Sequence, residues 1–409
     1  MVPPTNLEQV LDHALSSRSA RGAPVSRLLV HSHPSGDFTS NDYLSLSSAP
    51  QLKEIFLAKL SQQGRTMGST GSRFIAGNSP GHVALADRLK AYFRAPAALL
   101  VNSGFDANLG VLKSLPQKGD VVVYDQLVHE SAREGISASR ATTRIAFKHN
   151  DVGSLREVLV EILDSHPAVK SGHATVFVVV EGLYSMNGDV APLRDIVDVV
   201  KEHIPQAARH LIIDEAHSTG IYGPGGRGLA ALLGLEDEFH TRVHTFGKAM
   251  GVHGAVVLCS PTTRFYLANY AKNLLFTTSM PLYSLAAIDS AFDMLESLAK
   301  ELFQRCDFFT ASLSAKLAEI PAGVMRLMST NSALPSPIFP ILVHDPTNLE
   351  KYLEKNGYST VAVAYPAVPR DMQRIHVTIH VGNTEADIRK FVNVLVAWAE
   401  EQLRVTNKL

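Results

Sequence analysis

From His82 to Ser260 the chain keeps returning to one unit, a short run of β-branched and apolar residues set beside a segment with helical spacing. The runs ALLVN, DVVVYD, TRIAFK, ATVFVVVEG, HLIIDEA, VHTFGK and GAVVLCS read as strands. HVALADRLKAYF, SLREVLVEILDSH and LRDIVDVVKEH read as helices. Strands that are apolar on both faces have no side to give to water, so helices must cover the sheet above and below. A crossover through a helix also brings the next strand in parallel. The expected fold class is therefore α/β, a mostly parallel central sheet with helices on both faces, in a body running from about 61 to 295.

Beyond that body the pattern changes. MLESLAKELFQRCDFFTASLSAKLAEI reads as long helix, SPIFPILVHD and RIHVTIHV follow as strand-like runs, and TEADIRKFVNVLVAWAEEQLR as a closing helix. Few strands with flanking helices point to a smaller α+β domain over 296–409, with the segment 1–60 completing it. No internal repeat or low-complexity tract interrupts the chain.

With 38 basic and 39 acidic residues the net charge is −1, so the overall charge gives no footprint for nucleic acid or an anionic membrane. Any phosphate must be held locally. The two cysteines, Cys259 and Cys306, lie far apart and outside any CxxC spacing, which supports neither a disulfide framework nor a structural zinc site. No metal site is expected. The N-terminal MVPPTNLEQVLDHAL lacks the apolar core of a secretory signal, and no stretch approaches the roughly 20 apolar residues of a membrane span. A cytoplasmic protein is expected. The final Asn407, Lys408, Leu409 nearly matches a peroxisomal Ser-Lys-Leu address and departs from it at Asn407, which leaves that compartment as the alternative.

Four motifs stand where strands end, the edge at which open α/β sheets bind ligands. NSGFDANLG follows ALLV and opens a helix, so Ser103, Gly104 and Phe105 offer a hydroxyl and free backbone N–H groups to an anion. His129 follows DVVVYD, and Asp214 and His217 follow the apolar run HLII. HTFGKAMG places Lys248 next to Gly247 in apolar surroundings, where a lysine is either solvated or held for covalent chemistry. Each motif alone has a plain structural counterpart: a strand-to-helix turn, a structural histidine, a capping aspartate, a turn lysine. Together they supply a phosphate cradle, a ring-facing histidine, a carboxylate for a ring nitrogen and an amine for an aldehyde, the four needs of pyridoxal 5′-phosphate.

GSTGSRFIAGNSPGH, NSGFDAN, DQLVHES, VEGLYSMNGDVAPL, DEAHSTGIYGPGGRG, HTFGKAMG and FTTSMP occur in that order, and the set resembles the α-oxoamine synthases, fold-type I pyridoxal-phosphate enzymes. The wording is nearest the biotin-pathway branch of the family, and the match extends from about Asn41 to the last helix. The resemblance implies a homodimer with shared active sites. It implies that Lys248 carries the cofactor covalently, Asp214 pairs with the ring nitrogen and His129 stacks on the ring. His217 and Ser185 would lie near the ring hydroxyl, with Glu181 supporting the histidines. Ser103, Gly104, Phe105 and Thr245 would surround the phosphate, and Thr277 and Thr278 would reach in from the partner subunit. An ionised Asp214 makes the ring an electron sink, and Lys248, once displaced by the amino acid, is free to act as general base. The implied reaction joins an amino acid to an acyl thioester, on CoA or an acyl carrier protein, with loss of carbon dioxide. L-alanine and pimeloyl-CoA are the default pair.

One departure qualifies the default. The family carries an Arg-x-Arg whose second arginine holds the amino-acid carboxylate, whereas VPRDMQRIHVTIHV has Arg374 followed by His376. An imidazole cannot reproduce a bidentate guanidinium. Arg374, Asn41 and a protonated His376 are then the candidate substrate contacts. The alternative is a specialised enzyme that condenses a polyketide or fatty acyl thioester with another amino acid. A fold-type I aminotransferase or aldolase would share the lysine and aspartate, and a non-catalytic binding role would need neither.

Overall fold

In the computed structural model, which describes residues 5–20, 36–64, 66–295, 298–329, 332 and 334–406, all seven β-rich runs form strands of one sheet. These are β1 (Ala97–Val101), β2 (Val121–Asp125), β3 (Thr143–Phe147), β4 (Val176–Glu181), β5 (Arg209–Asp214), β6 (Thr241–Thr245) and β7 (Ala255–Cys259). Their spatial order is β1-β7-β6-β5-β4-β2-β3. The pairs from β6 to β3 are parallel, and only β7 runs against its neighbours β1 and β6.

Alternation along the strands explains how both faces are buried. Val121, Val123, Val178 and Ile213 pack on one side with Leu155, Leu159 and Ile162 of the helix Val152–Ser165 and with Ile196 of Leu193–His203. Val122, Val179 and Ile212 point to the other side, onto Val111 and Leu112 of Gly104–Ser114 and Ile136 of Glu130–Ser137. Each such side chain contributes about 1.5–3 kcal/mol relative to exposure, so the sheet is a stiff platform for whatever its edge carries. At the outer strand β3 burial alternates instead, as expected of an edge half open to water.

A second, antiparallel sheet has the order β10-β11-β9-β8, from β8 (Met325–Leu327), β9 (Ile338–Val343), β10 (Val361–Val363) and β11 (Arg374–Thr378). The helices Leu298–Leu317 and Glu385–Thr406 pack beside it, with Phe309, Phe391, Ile341 and Ile375 in the shared core. The segment after Gly36 straps onto this sheet. Phe38 stacks on Phe391 at 3.9 Å, its N–H donates to the Ser359 carbonyl, and its own carbonyl accepts the Thr378 N–H. The strap delivers Asn41 and Tyr43 to the edge of the large sheet.

The two sheets meet at a tight hairpin after β4, closed by the bridge Leu183↔Val190. Gly188 there has φ +66°, and a Cβ at this position would lie 2.3 Å from the Ile338 carbonyl oxygen, so only glycine permits the approach to β9. Both cysteines are buried and unpaired. Among the described residues no helix is long and apolar enough to cross a membrane, and the Asn407-Lys408-Leu409 tripeptide lies outside the described residues.

Candidate active site

Every strand-end residue named from the sequence emerges at the same edge of the large sheet. Ser103 follows β1, His129 follows β2, Ser185 follows β4, His217 follows β5 and Lys248 follows β6, while Glu181 and Asp214 are the terminal, register-paired residues of β4 and β5. Parallel strands end on one side, so the topology itself gathers residues more than a hundred positions apart.

Ser103 caps the helix Gly104–Ser114: its Oγ accepts the Asp106 N–H at 3.0 Å and donates to the Asp106 carboxylate at 2.9 Å. The N–H groups of Gly104 and Phe105 have no partner among the described residues, which leaves the positive end of the helix available to an anion. Thr245, at the end of β6, presses on this turn. A Cβ on Gly104 would lie 3.1 Å from the Thr245 Cβ.

Asp214 is braced from two sides. Its Oδ2 accepts from the Asn108 amide at 2.6 Å and its Oδ1 from the Ala216 N–H at 2.8 Å. Asn108 also donates to Ser131 Oγ at 3.0 Å, and that hydroxyl lies 2.8 Å from His129 Nδ1. The Ser131 N–H donates to the same nitrogen, so the neutral ring carries its proton on Nε2. Burial lowers the His129 pKa against a partial offset from Asp214, and the nearby Lys248 charge adds to the lowering.

Beside Asp214, the carboxyl of Glu181 is buried and pushed well above the usual range, first by burial and then by the Asp214 charge. It accepts the backbone N–H of His129, so it supports that histidine through the main chain and not through the ring. Lys248 is half-buried, and its amine makes no hydrogen bond or ion pair among the described residues. Burial lowers its pKa, with Asp214 and Glu181 offsetting part of the shift. That combination favours a nucleophilic amine.

Across from these groups, the Tyr43 hydroxyl lies 2.6 Å from His217 Nδ1 and 3.2 Å from Asn41 Oδ1. His217 is buried and pushed well down by that burial, with Lys248, His376 and His129 adding to the effect. Thr277 is half-buried and Thr278 exposed, and the Thr278 carbonyl accepts from the Asn102 amide at 2.9 Å.

Two expectations need correction. Arg374 is 2% exposed, and its guanidinium donates to the carbonyls of Met372 and Met186 and to Asn187 Oδ1. It braces the hairpin after β4 and is not free for a substrate carboxylate. His376 donates from Nε2 to the Ser185 carbonyl at 2.8 Å. Burial drives its pKa down, the hydrogen bond offsets only part of this, and Arg374 adds to the fall, so a neutral ring replaces the protonated one expected.

The sequence reading missed Asn108 and Tyr43. Both lie inside motifs it had quoted, NSGFDANLG and SNDYL, and Asn108 is four residues beyond Gly104, one helical turn along the same face.

The sequence profile of Aminotransferase class I and II matches residues 36–395. An 8-amino-7-oxononanoate synthase of Emericella nidulans is 39% identical over 383 residues, 91% of this chain and 92% of its own length. The chain belongs to the class I and II aminotransferase family, in its α-oxoamine synthase branch. Another relative, aminoacyl transferase sphA of Aspergillus fumigatus, is 35% identical over 98% of this chain and 88% of its own. The fold agrees. A solved 8-amino-7-oxononanoate synthase from Francisella tularensis superposes with TM-score 0.71 at 26% identity, covering 90% of this chain and 99% of the other. A Sphingomonas wittichii serine palmitoyltransferase reaches TM-score 0.80 at 23% identity over 96% and 97%, a likeness of fold. As an α-oxoamine synthase, the chain joins two substrates, an amino acid and an acyl thioester.

Proposed function

We propose that this chain is a pyridoxal-phosphate-dependent enzyme catalysing the decarboxylative Claisen condensation of an amino acid with an acyl thioester to an α-amino ketone. The observation that carries the reading is Lys248: a half-buried amine, without a partner among the described residues, on one edge with Asp214, His129 and the open end of the helix Gly104–Ser114. The donor set fits the cofactor. Unbonded N–H groups of Gly104 and Phe105, with Ser103 and Thr245 beside them, suit a phosphate; the braced carboxylate of Asp214 suits a protonated ring nitrogen; His129 suits a ring face.

Bound there, pyridoxal phosphate supplies an electron-withdrawing ring that stabilises negative charge at the amino acid's α-carbon. The chain's own residues do the rest. Lys248 attaches the cofactor and, when released, takes the α-proton and returns one. Asp214 holds the ring-nitrogen proton in place, and Asn108 fixes both Asp214 and Ser131. His217, bonded to Tyr43, and Ser185 flank the same space. The overall exchange forms one carbon–carbon bond and releases a thiol and carbon dioxide.

The site is completed by a second copy of the chain. Phe74 and Phe276 pack edge to face yet are 58% and 68% exposed, and Ile75 beside them is 81% exposed, an apolar surface adjoining Thr277 and Thr278. A homodimer covers this patch and brings the partner subunit's Thr277 and Thr278 to the phosphate.

L-alanine and pimeloyl-CoA are the first substrates to test. A second reading, a specialised enzyme with another amino acid or a carrier-bound acyl chain, is favoured by His376, which offers no charge to a carboxylate. Titrating the holoenzyme with single amino acids, followed by thiol release on adding pimeloyl-CoA, tests both. Release with alanine supports the first, a response to another amino acid the second, and keto-acid formation without thiol release overturns the condensation.

His376→Arg is expected to lower the amino-acid KM about tenfold, since a charge-assisted hydrogen bond contributes about 1.5–3 kcal/mol. Steady-state kinetics across amino acids checks this. An unchanged or raised KM would place the substrate carboxylate elsewhere.

A further inference from the structure

Behind the edge that carries Lys248 lies a group the mechanism above does not use. His149, two residues past β3, has a side chain only 12% exposed and is gripped at both ring nitrogens. Its Nδ1 lies 2.9 Å from Asp125 Oδ1 and its Nε2 lies 2.7 Å from Asp189 Oδ2. A carboxylate at each nitrogen requires both to be donors, so the ring is an imidazolium.

Each carboxylate anchors a different functional loop. Asp125 ends β2 and also accepts the N–H groups of Leu127 and Asn150, fixing the turn that leads into His129. Asp189 sits in the hairpin after β4, where its carbonyl accepts the Tyr184 N–H, and the same hairpin carries Ser185 and the carbonyl that receives His376. Tyr184 closes the circuit: its ring meets His149 edge to face at 4.5 Å, and its hydroxyl accepts the N–H of Glu181, whose carboxyl holds the His129 backbone.

We propose that His149 is a positioning residue whose cation clips the Ser185-bearing hairpin to the His129-bearing turn, setting the width of the substrate space between them.

The charges around it make the clip sensitive to its proton. Asp125 and Asp189 face it directly, buried Glu181 interacts with Asp125, and Arg374 interacts with Asp189 from the β11 side. The Asn150 amide also donates to Asp189 Oδ2 at 3.2 Å, but the second oxygen of Asp189 is buried without a hydrogen-bond partner, so loss of the imidazolium leaves that carboxylate with a single neutral side-chain donor among the described residues. Burial opposes the charge, but the two carboxylates overcome it and raise the His149 pKa to about 9. A raised pKa means the clip is complete below the ordinary histidine range and lost as pH rises through about 9.

The claim that this geometry serves turnover rests on the function proposed above, whereas the clip itself is tested without turnover. In holoenzyme, hydrogen exchange of 182–191, corrected for intrinsic base catalysis, is expected to step up about tenfold through about pH 9. His149→Gln should exchange at the high level at every pH, and the milder Asp189→Asn should move the step to lower pH. Protection in β4 and β5 should stay unchanged in all three proteins. In kinetics, His149→Gln should raise the amino-acid KM about tenfold while kcat changes less than about threefold. Hairpin protection that is flat with pH in the wild-type protein, or a loss in His149→Gln that spreads evenly through the sheet, would overturn the proposal. A pH step without condensation activity would retain the clip and reject only the reaction.

Discussion

Lys248→Ala is expected to lower turnover by at least about a thousandfold, because in the proposed mechanism one amine serves as both the covalent attachment point and the general base. The rest of the cofactor site does not depend on it. Ser103, Gly104 and Thr245 at the helix end, and Asp214 with its Asn108 and Ala216 donors, make no contact through the lysine. The variant should therefore fold with an unchanged melting temperature and still bind pyridoxal phosphate, now without a bond to the chain. Borohydride reduction followed by peptide mass measurement separates these outcomes. Wild-type protein should carry the cofactor's mass on the peptide spanning Thr245–Gly251, and the variant should carry none. Turnover within about tenfold of wild type, or a label on another lysine, would refute the assignment. The low pKa direction of Lys248 strengthens the case, since a solvated turn lysine has no cause to be shifted by burial.

The large sheet was legible because its central strands are apolar on both faces, a pattern that short solvent-facing strands cannot imitate. β8 and β10 were not legible: three residues each are too few to establish a period of two. At the site, Lys248, Asp214 and His129 could be singled out because each stands at or just past the end of a strand, and strand ends of a parallel sheet share one edge. What the sequence hid were the residues that work through distant partners. Arg374 looked like a free cation until its place opposite the 185–187 loop, nearly two hundred residues earlier, gave its donors other acceptors. His149 meets Asp125 and Asp189 from 24 and 40 residues away, separations that correspond to no helical or strand period. His376 changed its meaning for the same reason, since the burial that keeps it neutral, and the Ser185 carbonyl that occupies its Nε2, are visible only once β11 lies beside the hairpin.

Asp214→Asn is expected to slow removal of the amino acid's α-proton by about a hundredfold or more, the scale on which fixed charges at developing charge act. Asparagine keeps the size of the side chain and removes its charge, so in the proposed mechanism the ring nitrogen loses the partner that holds its proton. The local bonding sharpens the effect. Asp214 now accepts at both oxygens, from Asn108 and from the Ala216 N–H, and an amide can accept at only one of them. Either its NH2 group faces the Asn108 donor or the Ala216 contact is lost, and the side chain swings from its braced position. Proton exchange of the amino acid in heavy water, with no acyl thioester present, isolates this step from condensation. Asn108→Ala should fall between the two proteins, since it removes one brace and leaves the charge. If Asp214→Asn exchanges within about threefold of wild type, the carboxylate is not the group that sustains the ring's electron demand. Glu181, its register partner on β4, would then be the remaining carboxyl at the edge, although burial and the Asp214 charge hold that group well above the usual carboxylate range. Removing the Asp214 charge removes part of that elevation, so Glu181 should ionise more readily in the variant. Partial recovery of exchange as pH rises would be the sign of it, and Glu181→Gln in the same background should abolish that recovery.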